Sequence, residues 1–148
     1  MAFQLKSTAF PANGRIPDQY TCTGEDVPPP LSWKGAPATT QSFALIVDDP
    51  DAPGGTFHHW AIFDIGAAMT ALDSGRASGA QEAVNDFGRA GYGGPCPPPG
   101  RPHHYRFRLF ALDVEHLDVP RHSKCRDVEK SAARHTLAEA TLIGTYSR

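Results

Sequence analysis

The sequence has no long apolar run. Its longest purely aliphatic or aromatic stretch, Phe43 to Val47, falls far short of the roughly 20 residues that a membrane-spanning helix needs. Cysteine is scarce: Cys22, Cys96 and Cys125 are odd in number and widely spaced, a pattern of neither a disulfide framework nor a zinc site. They read as reduced thiols, which predicts a cytoplasmic protein. Met1 to Ser7 lack the basic-then-apolar order of a secretory signal. An excess of positive charge is also missing. The 14 Lys and Arg against 16 Asp and Glu leave a net charge of −2, which argues against nucleic acid or an anionic membrane as partner. With 40% hydrophobic and 20% charged residues, 148 positions make one folded domain, residues 1–148, able to bury a core without staples.

Proline and glycine, by contrast, number 14 each, and they cut the chain into short extended pieces. Phe3 to Phe10 reads as a short strand. Arg15 to Pro37 holds Pro17, Gly24, Pro28 to Pro30 and Gly35, which disfavours helix and predicts an irregular packed connection anchored by Trp33. Gly66 to Gly94 reads as a glycine-studded loop, longer than an idle connection would be. Only Lys124 to Ala140 has helical composition, with Val128, Ala132 and Leu137 at roughly helical spacing, ahead of a short last strand from Ile143 to Tyr146.

The chemistry concentrates around Asp49 to Trp60. Ser42 to Asp48 and Thr56 to Ile65 read as strands, so Asp49 to Gly55 connects them at one end of a sheet. Alternation places Phe43, Leu45, Val47 and Asp49 on one face, and groups Phe57, His59, Ala61 and Phe63 on the returning strand. A third strand, His103 to Leu112, separates His103, Tyr105, Phe107, Leu109 and Ala111 from His104, Arg106 and Arg108. If that strand runs beside the first two with its start at the same end, His103 and Tyr105 join Asp49 and His59 above an apolar floor.

Several blocks in this order resemble the phosphatidylethanolamine-binding protein family, most closely its bacterial YbhB/YbcL branch, also called Raf-kinase-inhibitor-like. They are Ile16-Pro17 with Tyr20-Thr21-Cys22, Pro29-Pro30-Leu31-Ser32-Trp33, Asp49-Pro50-Asp51-Ala52-Pro53 with His58-His59-Trp60, Gly94-Pro95 through His103-His104-Tyr105, and Leu142 to Tyr146. The resemblance implies a β-sandwich of two antiparallel sheets with a pocket for phosphate-like anions. It carries over Asp49, Asp51, Pro53, His59, Gly94, Pro95, His103 and Tyr105 as ligand-binding residues. The implied partner is a small anionic ligand, with a kinase or protease as candidate protein partner and a homodimer admitted. The family commonly has Arg where this chain has His104, and its bacterial members usually carry an acid at the position of Thr23.

In chemical terms, two carboxylates beside two imidazoles should favour imidazolium. His59 and His103 are therefore expected to titrate above about 6.5 and to offer charged donors to an anion, with Tyr105 and a backbone N–H near Gly94 beside them. Taken singly, each residue has a plainer reading: Asp49 and Asp51 as turn formers, His59 and His103 as rim histidines, Tyr105 as core. Asp49, Asp51, His59 and His103 could also ligate a metal, but adjacent histidines in a strand face opposite ways, so we expect no metal and no cofactor. An Asp/His hydrolase acting on a phosphoester is the alternative class. It lacks both a Gly-x-Ser-x-Gly nucleophile and the Lys or Arg clamp of phosphoryl transfer, so binding without turnover is expected.

Overall fold

The computed structural model describes residues 2–148. Three layers stack on one another. A three-stranded antiparallel sheet is formed by β1 (Gln4–Lys6), β2 (Leu31–Lys34) and β5 (Ala71–Leu72), in the order β1-β2-β5. Behind it lies a five-stranded antiparallel sheet of β3 (Ser42–Asp49), β4 (Phe57–Gly66), β6 (Gln81–Glu82), β7 (His103–Leu112) and β8 (Thr136–Tyr146), in the order β6-β4-β3-β7-β8. The third layer is helix α1 (Cys125–Ala133), packed on the far face of the large sheet. The mostly β architecture expected from the sequence is present.

Covering both faces explains why β3 is buried at every position rather than alternating. Phe43, Leu45 and Val47 join Leu5, Leu31, Trp33 and Leu72 between the sheets, whereas Ala44 and Ile46 meet Cys125, Val128 and Ala132 of the helix. Trp33 does anchor its segment, edge-on to Phe43 with ring centroids 5.4 Å apart. Burial of a side chain of this class contributes about 1.5–3 kcal/mol.

Two bulges shape the β3–β4 pair. Val47 opposes Trp60 while Asp48 opposes His58, which leaves His59 as an extra residue. Asp49 and Phe57 still face each other, so His59 stays on the inter-sheet side. Beyond the bulge the parity flips, and Trp60 and Ile62 enter the inter-sheet core while Ala61 and Phe63 turn to the helix. The expected grouping of His59 with Ala61 and Phe63 is therefore corrected. Alternation along β7 holds without interruption from His103 to Ala111.

Other expectations change as well. The helix stops at Ala133, and Thr136–Tyr146 forms an eleven-residue strand that pairs with β7 along its length. The ladder outweighs the helical composition of Leu137 to Ala140. The segment from Arg15 to Pro37 contains β2 and a 3₁₀ turn at Asp18–Tyr20, and the glycine-rich loop contains β5 and β6. The strand expected over Phe3 to Phe10 is confined to Gln4–Lys6.

The largest correction concerns the thiols. Cys22 and Cys96 form a disulfide across 74 residues, and only Cys125, buried at the start of α1, is free. The two loops are brought together by Cys22 N–H donating to the Pro95 carbonyl at 3.1 Å and Gly94 N–H donating to Asp26 Oδ1 at 2.7 Å. A side chain at position 94 would run into the Tyr20 carbonyl and the Asp26 carboxylate, so glycine permits the approach. Pairing of this range is invisible to cysteine spacing.

Candidate functional site

The ends of three neighbouring strands converge on a cavity of about 120 Å³. It is lined by Asp49 of β3, Phe57 and His59 of β4, His103 and Tyr105 of β7, and residues of the loops, among them Pro53, Phe87 and Cys96 to Pro98. The geometric requirement on which the sequence reading rested is met: sequence-distant acids and bases share one rim.

Protons in the cavity can be placed from the partners. His59, 4% exposed, has Nδ1 at 2.8 Å from the Gly93 carbonyl, which can only accept, so Nδ1 carries the hydrogen. His103 Nδ1 lies 2.7 Å from Asp49 Oδ2 and donates to it, while Asp49 Oδ1 accepts the Asp51 N–H at 2.8 Å. Both imidazoles therefore keep Nε2 free of protein partners among the described residues. The Tyr105 hydroxyl is buried and makes no hydrogen bond of good geometry, although the Asp49 carboxylate lies close to it. Burial first, and then the neighbouring Asp49 carboxylate, push its pKa well up, so it stays protonated.

Electrostatics overturns one expectation. Burial pushes the pKa of His59 down, and the favourable pull of the Gly93 carbonyl and Asp49 does not compensate. A neutral imidazole, not an imidazolium, is the form that this environment favours.

Other predicted residues occupy different positions. The Asp51 carboxylate turns out of the cavity to His104, whose Nδ1 and backbone N–H both reach Asp51 Oδ2, at 2.7 and 2.8 Å. The His104 hydrogen bonds hold the Asp51 carboxyl below its ordinary range. Its expected role of charging the pocket histidines is thus replaced by a surface pair, and His104 points away from the pocket as alternation requires. The Gly94 N–H is taken by Asp26, so it does not stand free as a donor, and Gly94 and Pro95 form the strap behind Cys96 rather than the lining.

Phe87 escaped the sequence reading. Buried Asn85 builds its turn, with Oδ1 accepting the N–H groups of Phe87 and Arg89 and Nδ2 donating to the Gly91 carbonyl. Phe87, 42% exposed, then stacks edge-on against Phe57 and His59 at the mouth. A lone phenylalanine inside an Asn-Asp-x-Gly turn was the available signal.

Two competing sites can be weighed. A hollow of about 430 Å³ lies between the N-terminal segment and β8, lined by Phe3, Leu5, Phe10 and Leu142 among others, but it gathers no titratable cluster. Among the described residues, the one trio close enough to hold a metal is Asp48, His58 and Glu129, not the rim residues. Arg106 and Arg108 already occupy Asp48 at 2.7 Å, and Arg108 also reaches Glu129 at 3.0 Å, so guanidinium charge fills the place of a cation.

Comparison with known proteins gives consistent matches. A family model described as phosphatidylethanolamine-binding protein covers residues 6–147. A UPF0098 protein of Methanothermobacter thermautotrophicus is 49% identical, over 97% of this chain and 98% of the relative. A Mycobacterium tuberculosis protein whose name proposes a lipoprotein, LppC, is 40% identical over 96% of this chain and 71% of its own length. The crystal structure of Escherichia coli YbcL, titled a new member of the mammalian PEBP family, superposes with a TM-score of 0.94 at 34% identity, covering 100% of this chain and 99% of that one.

Proposed function

Because this chain belongs to the phosphatidylethanolamine-binding protein family, we propose that it is a binding protein whose rim cavity takes the phosphate-like head of a small anionic ligand. The observation that carries this reading is the Tyr105 hydroxyl, a buried donor that makes no well-formed hydrogen bond to protein, beside two imidazoles whose Nε2 atoms make none either. An unpaired buried polar group costs about 1–3 kcal/mol, and a ligand oxygen would relieve that cost.

Size restricts the ligand. About 120 Å³ suits a tetrahedral oxyanion head and lies below the roughly 300–1,000 Å³ of pockets that enclose a drug-sized molecule. A phospholipid would leave its chains outside. Turnover is the weaker reading, since the lining offers no Ser, Thr or unbridged Cys nucleophile and no Lys or Arg among the described residues.

The compartment is part of the same proposal. A cytoplasmic location was inferred from unpaired thiols, and the Cys22–Cys96 bridge removes that basis. We read the bridge as the mark of an oxidising compartment, which agrees with the lipoprotein name carried by the mycobacterial relative. No helix is long and apolar enough to cross a membrane among the described residues.

Calorimetric titration with inorganic phosphate tests the binding reading. Saturable binding to the native chain, lost in His103→Ala, is the expected outcome. Absence of binding at every pH, or an affinity unchanged in the variant, would remove it.

A further inference from the structure

The hydrogen inventory of the cavity is lopsided. His59 spends its one hydrogen on the Gly93 carbonyl, so the free Nε2 of the neutral ring can only accept. His103 likewise commits Nδ1–H to Asp49, and its Nε2 donates only when the ring is imidazolium. Tyr105 supplies one certain donor. Asp49 is the one carboxylate of the lining; Asp51 is turned to His104, Asp48 lies on the opposite face of β3, and Arg148, whose charge reaches Tyr105 from outside the lining, is held by its Nε on the Pro97 carbonyl. Asp26 is taken up by the Gly94 N–H.

A fully deprotonated dianion would meet one carboxylate and at least one acceptor nitrogen in a largely apolar enclosure. Accepted without a proton of its own, it would leave His59 Nε2 unsatisfied or repelled. We infer that the cavity recognises a singly protonated tetrahedral oxyanion, whose remaining acidic O–H donates to His59 Nε2 while its other oxygens accept from Tyr105 and, when its ring is imidazolium, from His103 Nε2. This rests on the anion-binding reading and adds a proton requirement to it. The depressed pKa of His59 points the same way, because the ring stays an acceptor at pH values where an ordinary histidine would begin to charge. The ligand class is then a phosphate monoester or phosphonate in its monoanionic form. Sulfates, sulfonates and phosphodiesters, including a phospholipid head, carry no such proton near neutral pH and are excluded.

Methylphosphonate and methanesulfonate separate the two ideas, because near pH 6 they are monoanions of nearly the same shape and differ by one P–O–H hydrogen. Calorimetry on the native chain should show methylphosphonate binding at least tenfold more tightly, a difference of about 1.4 kcal/mol. Its affinity should fall as the ligand loses its second proton, whereas any residual methanesulfonate affinity should not follow that curve. Equal affinity for the two probes would overturn the proton requirement and leave anion binding standing. Failure of both to bind would overturn the binding reading and the inference with it.

Discussion

Two faces of the same strands use nearly the same residues to opposite ends. Asp48 and Asp49 are neighbours on β3, and His58 and His59 are neighbours on β4, yet each pair is split across the sheet. On the helix side, Asp48 accepts from Arg106 at 2.7 and 3.0 Å and from Arg108 at 2.7 Å. Arg108 reaches on to Glu129, and Glu129 meets His58 Nε2 at 2.8 Å. His58 Nδ1, 3.6 Å from Asp86 Oδ2, and Arg108 Nε make no hydrogen bond, but neither residue lines the cavity. On the other side, Asp49, His59, His103 and Tyr105 surround empty volume, with the Nε2 atoms of both rings and the Tyr105 hydroxyl making no hydrogen bond to protein. The difference teaches that residue type does not locate a binding site. What locates it is where the fold leaves polar groups without protein partners and also leaves a cavity in front of them.

Substitutions should separate the faces. The largest effect is expected for Asp48→Asn, which leaves Arg106 without a carboxylate and Arg108 with Glu129 alone and should cost about 3–5 kcal/mol in urea unfolding. Phosphate affinity of the folded fraction should change little. Next comes Cys96→Ser, which opens a bridge spanning 74 residues and should cost about 2–4 kcal/mol. It should also weaken phosphate binding, because Cys96 to Pro98 wall the cavity. Tyr105→Phe should reverse the pattern of Asp48→Asn. Its hydroxyl makes no well-formed hydrogen bond to lose, so the variant should unfold no more easily than the native chain, while phosphate affinity should drop about tenfold.

The smallest effect is in the pH dependence of stability. The hydrogen bond from His58, followed by Arg108, holds the Glu129 carboxyl at about 2, below its ordinary 4.5. A depressed carboxyl contributes stability above its unfolded value, and that contribution disappears as pH falls from about 4.5 towards 2. Partial exposure of Glu129 screens the effect. Glu129→Gln should flatten unfolding midpoints across that acid window and leave those near neutral pH only modestly lower. An unaltered acid slope would show that the helix-side network is not what titrates there.

Much of the site was legible because β7 alternates without interruption and its start lies beside the end of β3. The position of His59 was legible for a narrower reason. It precedes the point where its bulge inverts parity, so the count from Phe57 still applied to it and failed for Ala61 and Phe63. Sequence order could not show that Cys22 meets Cys96, since the contact depends on two loops folding over Tyr20 and Tyr92, whose hydroxyl donates to the Tyr20 carbonyl at 2.6 Å. The early end of α1 was hidden because alanine and leucine suit a helix while pairing with β7 decides for a strand. The low pKa of His59 was misjudged because proximity to acids can be read from a sequence, whereas the depth of burial that outweighs them cannot.

The central claim is that the ring nitrogens facing the cavity, and not those of the packed network on the other face, receive the ligand. Nitrogen-resolved NMR of the histidine rings during titration with inorganic phosphate addresses it directly. The account predicts saturable shifts at the Nε2 atoms of His59 and His103 with the His58 signals unmoved. Shifts confined to His58, or phosphate binding that leaves all three rings untouched, would contradict it.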